Sequence, residues 1–170
     1  QQTARAEALA KTASHINSRL DLDEVLSSVC EETARALNIP AVVLNMYDLQ
    51  KQTISIVADY GLPAIFKATY QNIPLKHAPS SLTPMTSAPI IIEDIHNYPE
   101  FPRSDLMESI DVKTVALVRI KSKEIYIGSL AILSLGQARE FSEDELSLLE
   151  GLGNQAAQAI TNAHLYESTE

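Results

Sequence analysis

Apolar residues recur every three or four positions near both ends of the chain, which predicts amphipathic helices there. At the N-terminal end, an apolar stripe that includes Leu9 and Ile16 runs through residues 4–20 without a glycine or proline. Asp21 is placed to cap a second helix over residues 22–37. The pattern therefore predicts two consecutive helices before the first strand.

A third long helix is predicted over residues 142–166. Ser142 is placed to cap its first turn while Glu145 reaches back, which is the pattern of a capping box. Phe141 and Leu146 have the spacing of the hydrophobic staple that accompanies such a cap. No stop signal follows, so we expect the helix to run to the end of a sequence that is part of a longer polypeptide.

Two glycines, Gly151 and Gly153, lie inside this predicted helix. Each costs about 1 kcal/mol relative to alanine in a helix interior. One interpretation is a close approach to another helix, including the same helix of a second chain. The other is a soft point at which the distal half of the helix can bend.

Between the terminal helices, alternating apolar residues predict strands joined by short polar turns. Residues 62–88 are rich in proline and predict an irregular segment. Short helices are expected near 64–71 and 104–109. This order of elements predicts an α+β fold with a central antiparallel sheet of about five to six strands. The predicted strands are 41–48, 53–61, 90–95, 113–120 and 125–135.

The two faces of the predicted sheet differ in polarity, because strand residues point alternately to opposite sides. We expect the terminal helices to pack on the apolar face. We expect the irregular segment 60–112 to cover the mixed face, where a small-molecule pocket tends to lie. Simple packing is the alternative for each polar residue there, and Arg119 could instead reach the sheet edge or pair with Glu93 or Asp94. The pocket candidates are Asn45, Tyr47, Arg119, Ser129 and His77.

Composition and charge exclude several classes of function. The net charge of -9 argues against binding to nucleic acid or anionic membranes, which needs clustered lysine and arginine. No apolar run approaches the roughly 20 residues that span a bilayer. Cys30 is the single cysteine, which fits a reducing cytoplasm and a buried structural thiol. The sequence contains no hydrolase, phosphate-loop or zinc-protease motif, so we expect no catalysis.

The chain resembles a GAF domain, the sensor module of bacterial histidine kinases, response regulators and cyclic-nucleotide enzymes. The segments that carry the resemblance are "LDLDEVLSSVCEETARALNIPAVVLNMYD", "ISIVADYGLP", "PIIIEDI" and "IGSLAILSLGQAREFSEDELSLLEGLGNQAAQAITNAHLYE". It implies a single domain with a linker or dimer helix at 1–20, a core at 22–135 and a signalling helix at 142–167. It also implies a homodimer through helices 4–20 and 142–166 and a covalently attached output domain, as in two-component systems.

The resemblance leaves the ligand open. Bilin-binding GAF domains attach the chromophore to a cysteine of the covering segment, whereas Cys30 lies in a predicted helix, which argues against covalent bilin. A haem held by His77 or His96 is not expected either. The Asn-Lys-Phe-x-Glu motif of cyclic-nucleotide binders and the cysteines of methionine-sulfoxide reductases are absent from the sequence. Two functions remain: a sensory module that binds a small ligand or a partner, and a dimerisation or spacer module without a ligand.

Overall fold

The computed structural model describes residues 4–77, 88–98 and 105–168, with side chains described for residues 21–76, 88–98 and 105–163. These ranges contain four helices and six strands, with 3₁₀ turns at Leu75–His77 and Ile95–Asn97. The helices are α1 (Ala4–Leu37), α2 (Ala64–Thr69), α3 (Asp105–Ser109) and α4 (Glu143–Ser168). The strands are β1 (Ala41–Asp48), β2 (Thr53–Tyr60), β3 (Ile73–Pro74), β4 (Ile90–Ile92), β5 (Val112–Ser122) and β6 (Ile125–Leu135).

The six strands form one sheet in the order β3-β2-β1-β6-β5-β4. Every pairing between neighbours is antiparallel. Tight hairpins join β1 to β2 and β5 to β6, while β1 and β6, distant in sequence, pair at the centre of the sheet. The prediction of an α+β fold with a central antiparallel sheet is confirmed.

The two helices predicted before the first strand are a single helix, α1, of 34 residues. The prediction that Asp21 caps a second helix is wrong, because Asp21 lies inside α1. A capping residue must leave helical backbone angles. No glycine or proline near Asp21 favours such a departure, and Leu22 directly after it packs against the core in helical register.

The largest core cluster joins α1 and α4 to one face of the sheet, which we call the helix face. This confirms that residues 22–37 and α4 cover the apolar face, whereas the side chains of the predicted helix 4–20 lie outside the described residues. Cys30, Ala34 and Ile160 are buried at this contact, and the small side chains there let the helices lie close to the strands. The sheet residues of the cluster are Val42, Leu44, Ala58, Ala116, Val118, Ile120, Leu130 and Ile132.

The start of α4 has the predicted capping box. The Glu145 amide donates to Ser142 Oγ at 3.1 Å, and the Ser142 amide donates to Glu145 Oε1 at 2.9 Å. The hydrogen bond from the Ser142 amide, and then the hydrogen bond and charge of the Arg139 side chain, lower the pKa of Glu145. Phe141 packs against the core, whereas its staple contact with Leu146 stays a prediction.

The two glycines of α4 have different surroundings. A Cβ on Gly153 would lie 2.9 Å from Val118 Cγ2 and 3.3 Å from Ile120 Cγ2, so this glycine lets α4 approach β5. The close partner of Gly153 is therefore a strand. The interpretation that this glycine lets another helix approach is wrong. A Cβ on Gly151 would meet no atom within 4 Å, because that position faces outward.

Alanine substitutions at the two glycines should act in opposite directions. Gly151→Ala should stabilise the protein by up to about 1 kcal/mol through helix propensity. Gly153→Ala should destabilise it, since overpacking against two stiff β-branched side chains costs about 1–3 kcal/mol and exceeds the propensity gain. Urea unfolding of both variants measures the two effects. Equal stabilisation by both substitutions would contradict the close contact between α4 and β5.

Candidate functional site

Three polar side chains lie in lateral register across the centre of the sheet, on the face opposite the helix face. Asn45 of β1 pairs with Ser129 of β6, and Ser129 pairs with Arg119 of β5. Paired residues have Cβ atoms about 4.5–5.5 Å apart, so their side chains are neighbours. We call these three residues the polar row. The sequence predicted all three from strand alternation, and the strand register places them side by side.

The charged member of the polar row is buried. Arg119 is only 6% exposed, and its Nη1 donates to the Tyr47 hydroxyl at 3.2 Å. The alternative in which Arg119 reaches the sheet edge is therefore wrong. Tyr47, also a predicted site residue, is 9% exposed and brings the hydroxyl of β1 to the guanidinium of β5.

Two apolar clusters flank the polar row on this face. One lies towards β4 and includes Val115, Leu117 and Ala131. The other lies towards β3, where Tyr47 and Ile54 pack with three partly buried side chains, Ile73, Leu75 and Tyr126. This face therefore carries polar groups at its centre and buried apolar clusters on two sides.

Tyr126 is a residue of this face that strand alternation alone assigns to the helix face. The pairing of β5 with β6 shifts between Ile120 and Lys121, because Ile120 pairs with Gly128 whereas Lys121 pairs with Tyr126. The extra residue on β6 reverses the side on which Tyr126 lies. The aromatic residue after the "KSKE" turn is the only sequence signal for it, and alternation does not reveal a bulge.

Residues 90–98, which we call the cover segment, close the β5 side of this face. Ile92 and Ile95 from this segment are buried against Val115 and Leu117. The strand predicted over 90–95 ends at Ile92, because the Asp94 side chain accepts the His96 amide at 2.9 Å and caps a 3₁₀ turn.

A histidine between two carboxylates joins the cover segment to α3. His96 Nδ1 lies 3.0 Å from Asp94 Oδ1, and its Nε2 lies 3.4 Å from Glu108 Oε2. Hydrogen bonds from the His96 amide and ring hold the pKa of Asp94 below its usual value. All three side chains are partly exposed, and no group of three metal-binding side chains suits a metal ion in the described part of the chain.

The fifth predicted site residue, His77, ends the 3₁₀ turn that follows β3. Its side chain lies outside the described residues, so its part in the site stays a prediction. Residues 78–87 and 99–104 of the predicted cover 60–112 also lie outside them.

Cys30 lies on the other side of the sheet from the polar row. It is fully buried between α1 and the helix face, as the sequence predicted for a structural thiol. Burial, reinforced by the charge of Asp59, raises its pKa from 9.0 to about 12. This position separates the thiol from any ligand on the opposite face.

The Cys30 thiol should be inert in the native protein. At pH 8 we expect DTNB to modify it about a hundredfold more slowly than in urea, because burial suppresses the thiolate and blocks access. The absorbance of the released thiolate measures both rates, and the single cysteine makes the signal unambiguous. Rapid native labelling would contradict the burial of this residue.

Comparison with known proteins identifies the family. The sequence model of the GAF domain family matches residues 21–160. The chain therefore belongs to the GAF domain family, whose members act as regulatory ligand-binding modules of signalling proteins. The chain has no match among curated protein sequences.

Solved structures share the fold. The GAF domain of a phosphoenolpyruvate-protein phosphotransferase from Coxiella burnetii has a TM-score of 0.76 and 18% identity, over 95% of this chain and 98% of that one. A phycoerythrobilin-bound GAF domain from a cyanobacterial phytochrome has a TM-score of 0.67 and 18% identity, over 97% and 98%. Residues 122 to 287 of a methyl-accepting chemotaxis protein have a TM-score of 0.70 and 23% identity, over 91% of this chain and 98% of that one. At these identities the likeness concerns the fold alone.

The helices of the described residues include none that is both long and apolar enough to cross a membrane.

Proposed function

We propose that this domain is the sensory module of a larger signal-transduction protein and binds a small molecule over the polar row. The observation that carries the proposal is the buried guanidinium of Arg119, which contacts the Tyr47 hydroxyl and stands in register with Ser129 and Asn45. Burying a charged group is costly, so a buried guanidinium beside other polar groups is a candidate for a binding site.

The surroundings of the row indicate the chemistry of the ligand. Guanidinium and hydroxyl groups donate hydrogen bonds, so a ligand oxygen or aromatic nitrogen that accepts them suits the centre of the face. The flanking clusters suit a compact apolar body on either side. A molecule with an acceptor-rich centre and apolar ends fits this arrangement.

The same groups favour binding over catalysis. A general base works best with a pKa near the working pH. The polar row and Tyr47 supply only amide, hydroxyl and guanidinium groups, which are hydrogen-bonding groups and not the carboxylates or imidazoles that most often act as general bases. We therefore infer a non-catalytic module.

Substitution of Arg119 should abolish ligand retention. The purified protein should carry a small molecule in stoichiometric amount, measured as the difference between its native and denatured masses by mass spectrometry. Arg119→Met should reduce the bound fraction by about tenfold or more, since charge-assisted hydrogen bonds contribute roughly 1.5–3 kcal/mol. The control is Arg35→Met on α1, which removes an exposed ion pair with Glu31 on the helix side of the sheet.

The alternative function is a dimerisation or spacer module without a ligand. A wild-type protein that never retains a small molecule, from its native host or after incubation with a metabolite extract, supports this alternative. Retention that is equal in wild type and Arg119→Met contradicts the polar row as the binding site while leaving a sensory function elsewhere.

We propose further that two copies associate through their terminal helices and that an attached output domain receives the signal. Apolar side chains are exposed on both helices, Val25 of α1 at 40% and Leu148 of α4 at 43%. Gly151, one turn beyond Leu148, opens space on the same helix. A reducing cytoplasm is the location that suits the lone buried thiol.

A charge at the outer face of α4 should weaken association. Leu148→Glu should raise the dimer dissociation constant by about tenfold or more, because it inserts a charge into an apolar contact. Sedimentation equilibrium measures the change. Ile125→Glu, at an exposed site of the β5–β6 hairpin, is the matched control. A monomeric wild type, or equal association of both variants, argues against a dimer through α4.

A further inference from the structure

The loop before α4 holds one side chain that contacts both terminal helices. Arg139 Nη1 donates to the Asn38 carbonyl oxygen, just after α1, at 2.7 Å. Its Nη2 donates to Glu145 Oε2 at 2.6 Å, in the capping box of α4. The guanidinium also lies over the Phe141 ring, 5.1 Å from its centre. Arg139 therefore joins the end of α1 to the start of α4.

The backbone of Arg139 is tied to the sheet through a buried hydroxyl. The Arg139 amide donates to Thr114 Oγ1 at 3.0 Å, and Thr114 is fully buried in β5. The same hydroxyl donates its proton to the Glu93 carbonyl oxygen at 2.7 Å. The Thr114 amide, in turn, donates to Ser134 Oγ of β6 at 2.9 Å. One oxygen atom therefore links the helix loop to the cover segment.

Glu93 is the point at which the cover segment turns away from the sheet. It follows Ile92 at the end of β4 and precedes Asp94, which caps the 3₁₀ turn. A displacement of Ile95 on the opposite face would move the Glu93 carbonyl, because only one residue, Asp94, separates them. To keep its bond to the displaced Glu93 carbonyl, the Thr114 hydroxyl would have to move, and that movement would weaken its bond from the Arg139 amide.

We propose that Thr114 and Arg139 are positioning residues that couple the cover segment to the end of α1 and the first turn of α4. The chain of contacts runs from the Glu93 carbonyl through Thr114 Oγ1 to Arg139, and from its guanidinium to Asn38 and Glu145. Its role in signalling rests on the proposed sensory function. The coupling itself is a property of the ligand-free protein, and coupling between two sites is reciprocal.

Two substitutions of Thr114 separate the effect of its hydroxyl group from the effect of the side-chain shape. Thr114→Val keeps the shape and removes both hydrogen bonds, whereas Thr114→Ser keeps the hydroxyl. In Thr114→Val, hydrogen exchange followed by NMR should be roughly three- to tenfold faster at two remote places, as loss of ordinary hydrogen bonds would give. These are the amides of Glu145 and Leu146 in α4 and the amide of Asn97 in the cover segment. Thr114→Ser should exchange like wild type.

An internal reference distinguishes coupling from lost stability. The Ile56 amide of β2, near the edge of the sheet opposite to β4, donates to the Tyr70 carbonyl oxygen at 2.9 Å. It should keep its wild-type exchange rate in Thr114→Val. Equal acceleration at Ile56 and at Glu145 would reduce Thr114 to a stabilising residue and overturn the proposal. Acceleration confined to Arg139 and Glu93, with Glu145 unchanged, would also overturn it.

The reverse experiment starts from the helix end and does not alter the core. Arg139→Gln removes the guanidinium contacts with Asn38 and Glu145 at a partly exposed site. It should raise the exchange rate at Asn97 by roughly threefold or more, while Lys121→Gln, which removes another exposed ion pair, should not. An unchanged rate at Asn97 in Arg139→Gln would contradict the coupling. All measurements use protein freed of small molecules, so they stand whether or not a ligand is found for the polar row.

Discussion

The side chains through which β1, β6 and β5 pack against α1 and α4 limit what the other side of the sheet can do. In each of these strands one set of alternate residues is committed to the apolar contact with the helices. That contact supplies the largest body of buried apolar surface in the described chain, and hydrophobic burial is the main favourable term in folding. The intervening residues are therefore less constrained by stability, and three of them carry polar groups at the centre of the sheet.

Much of the fold follows from periodicity in the sequence. The bounds of β1 and β6, the sheet face on which the helices pack and the capping box at Ser142 depend on neighbours in the chain, so local patterns reveal them, whereas the short edge strand β3 was not predicted. The predicted break at Asp21 failed because a capping residue does not end a helix unless the backbone also leaves helical angles, and α1 continues through Asp21. The end of β4 at Ile92 depends on a side-chain bond from Asp94, for which alternating apolar residues give no signal.

The candidate site was only partly predictable for a related reason. Asn45, Ser129 and Arg119 fall on one face by alternation, and antiparallel pairing brings them together. The bond between Arg119 and Tyr47 depends on which strands are neighbours, and β1 and β5 are separated by β6. Tyr126 joins them only through a bulge, and the contacts of Thr114 and Arg139 join residues far apart in sequence. Such contacts are set by tertiary structure alone.

The continuity of α1 has a mechanical consequence. At 1.5 Å per residue, its 34 residues form a rod about 50 Å long, and the side chains described from Leu22 onward contribute to the core. The backbone of residues 4–21 continues the same helix for roughly 26 Å before Leu22. A tilt of about 5° in the part of α1 from Leu22 onward would displace the backbone at Ala4 by about 2 Å, on the scale of helix shifts that switch subunit interfaces. A helix broken at Asp21 could bend there, so that the tilt would not reach Ala4. The unbroken helix α1 transmits the tilt along its whole length.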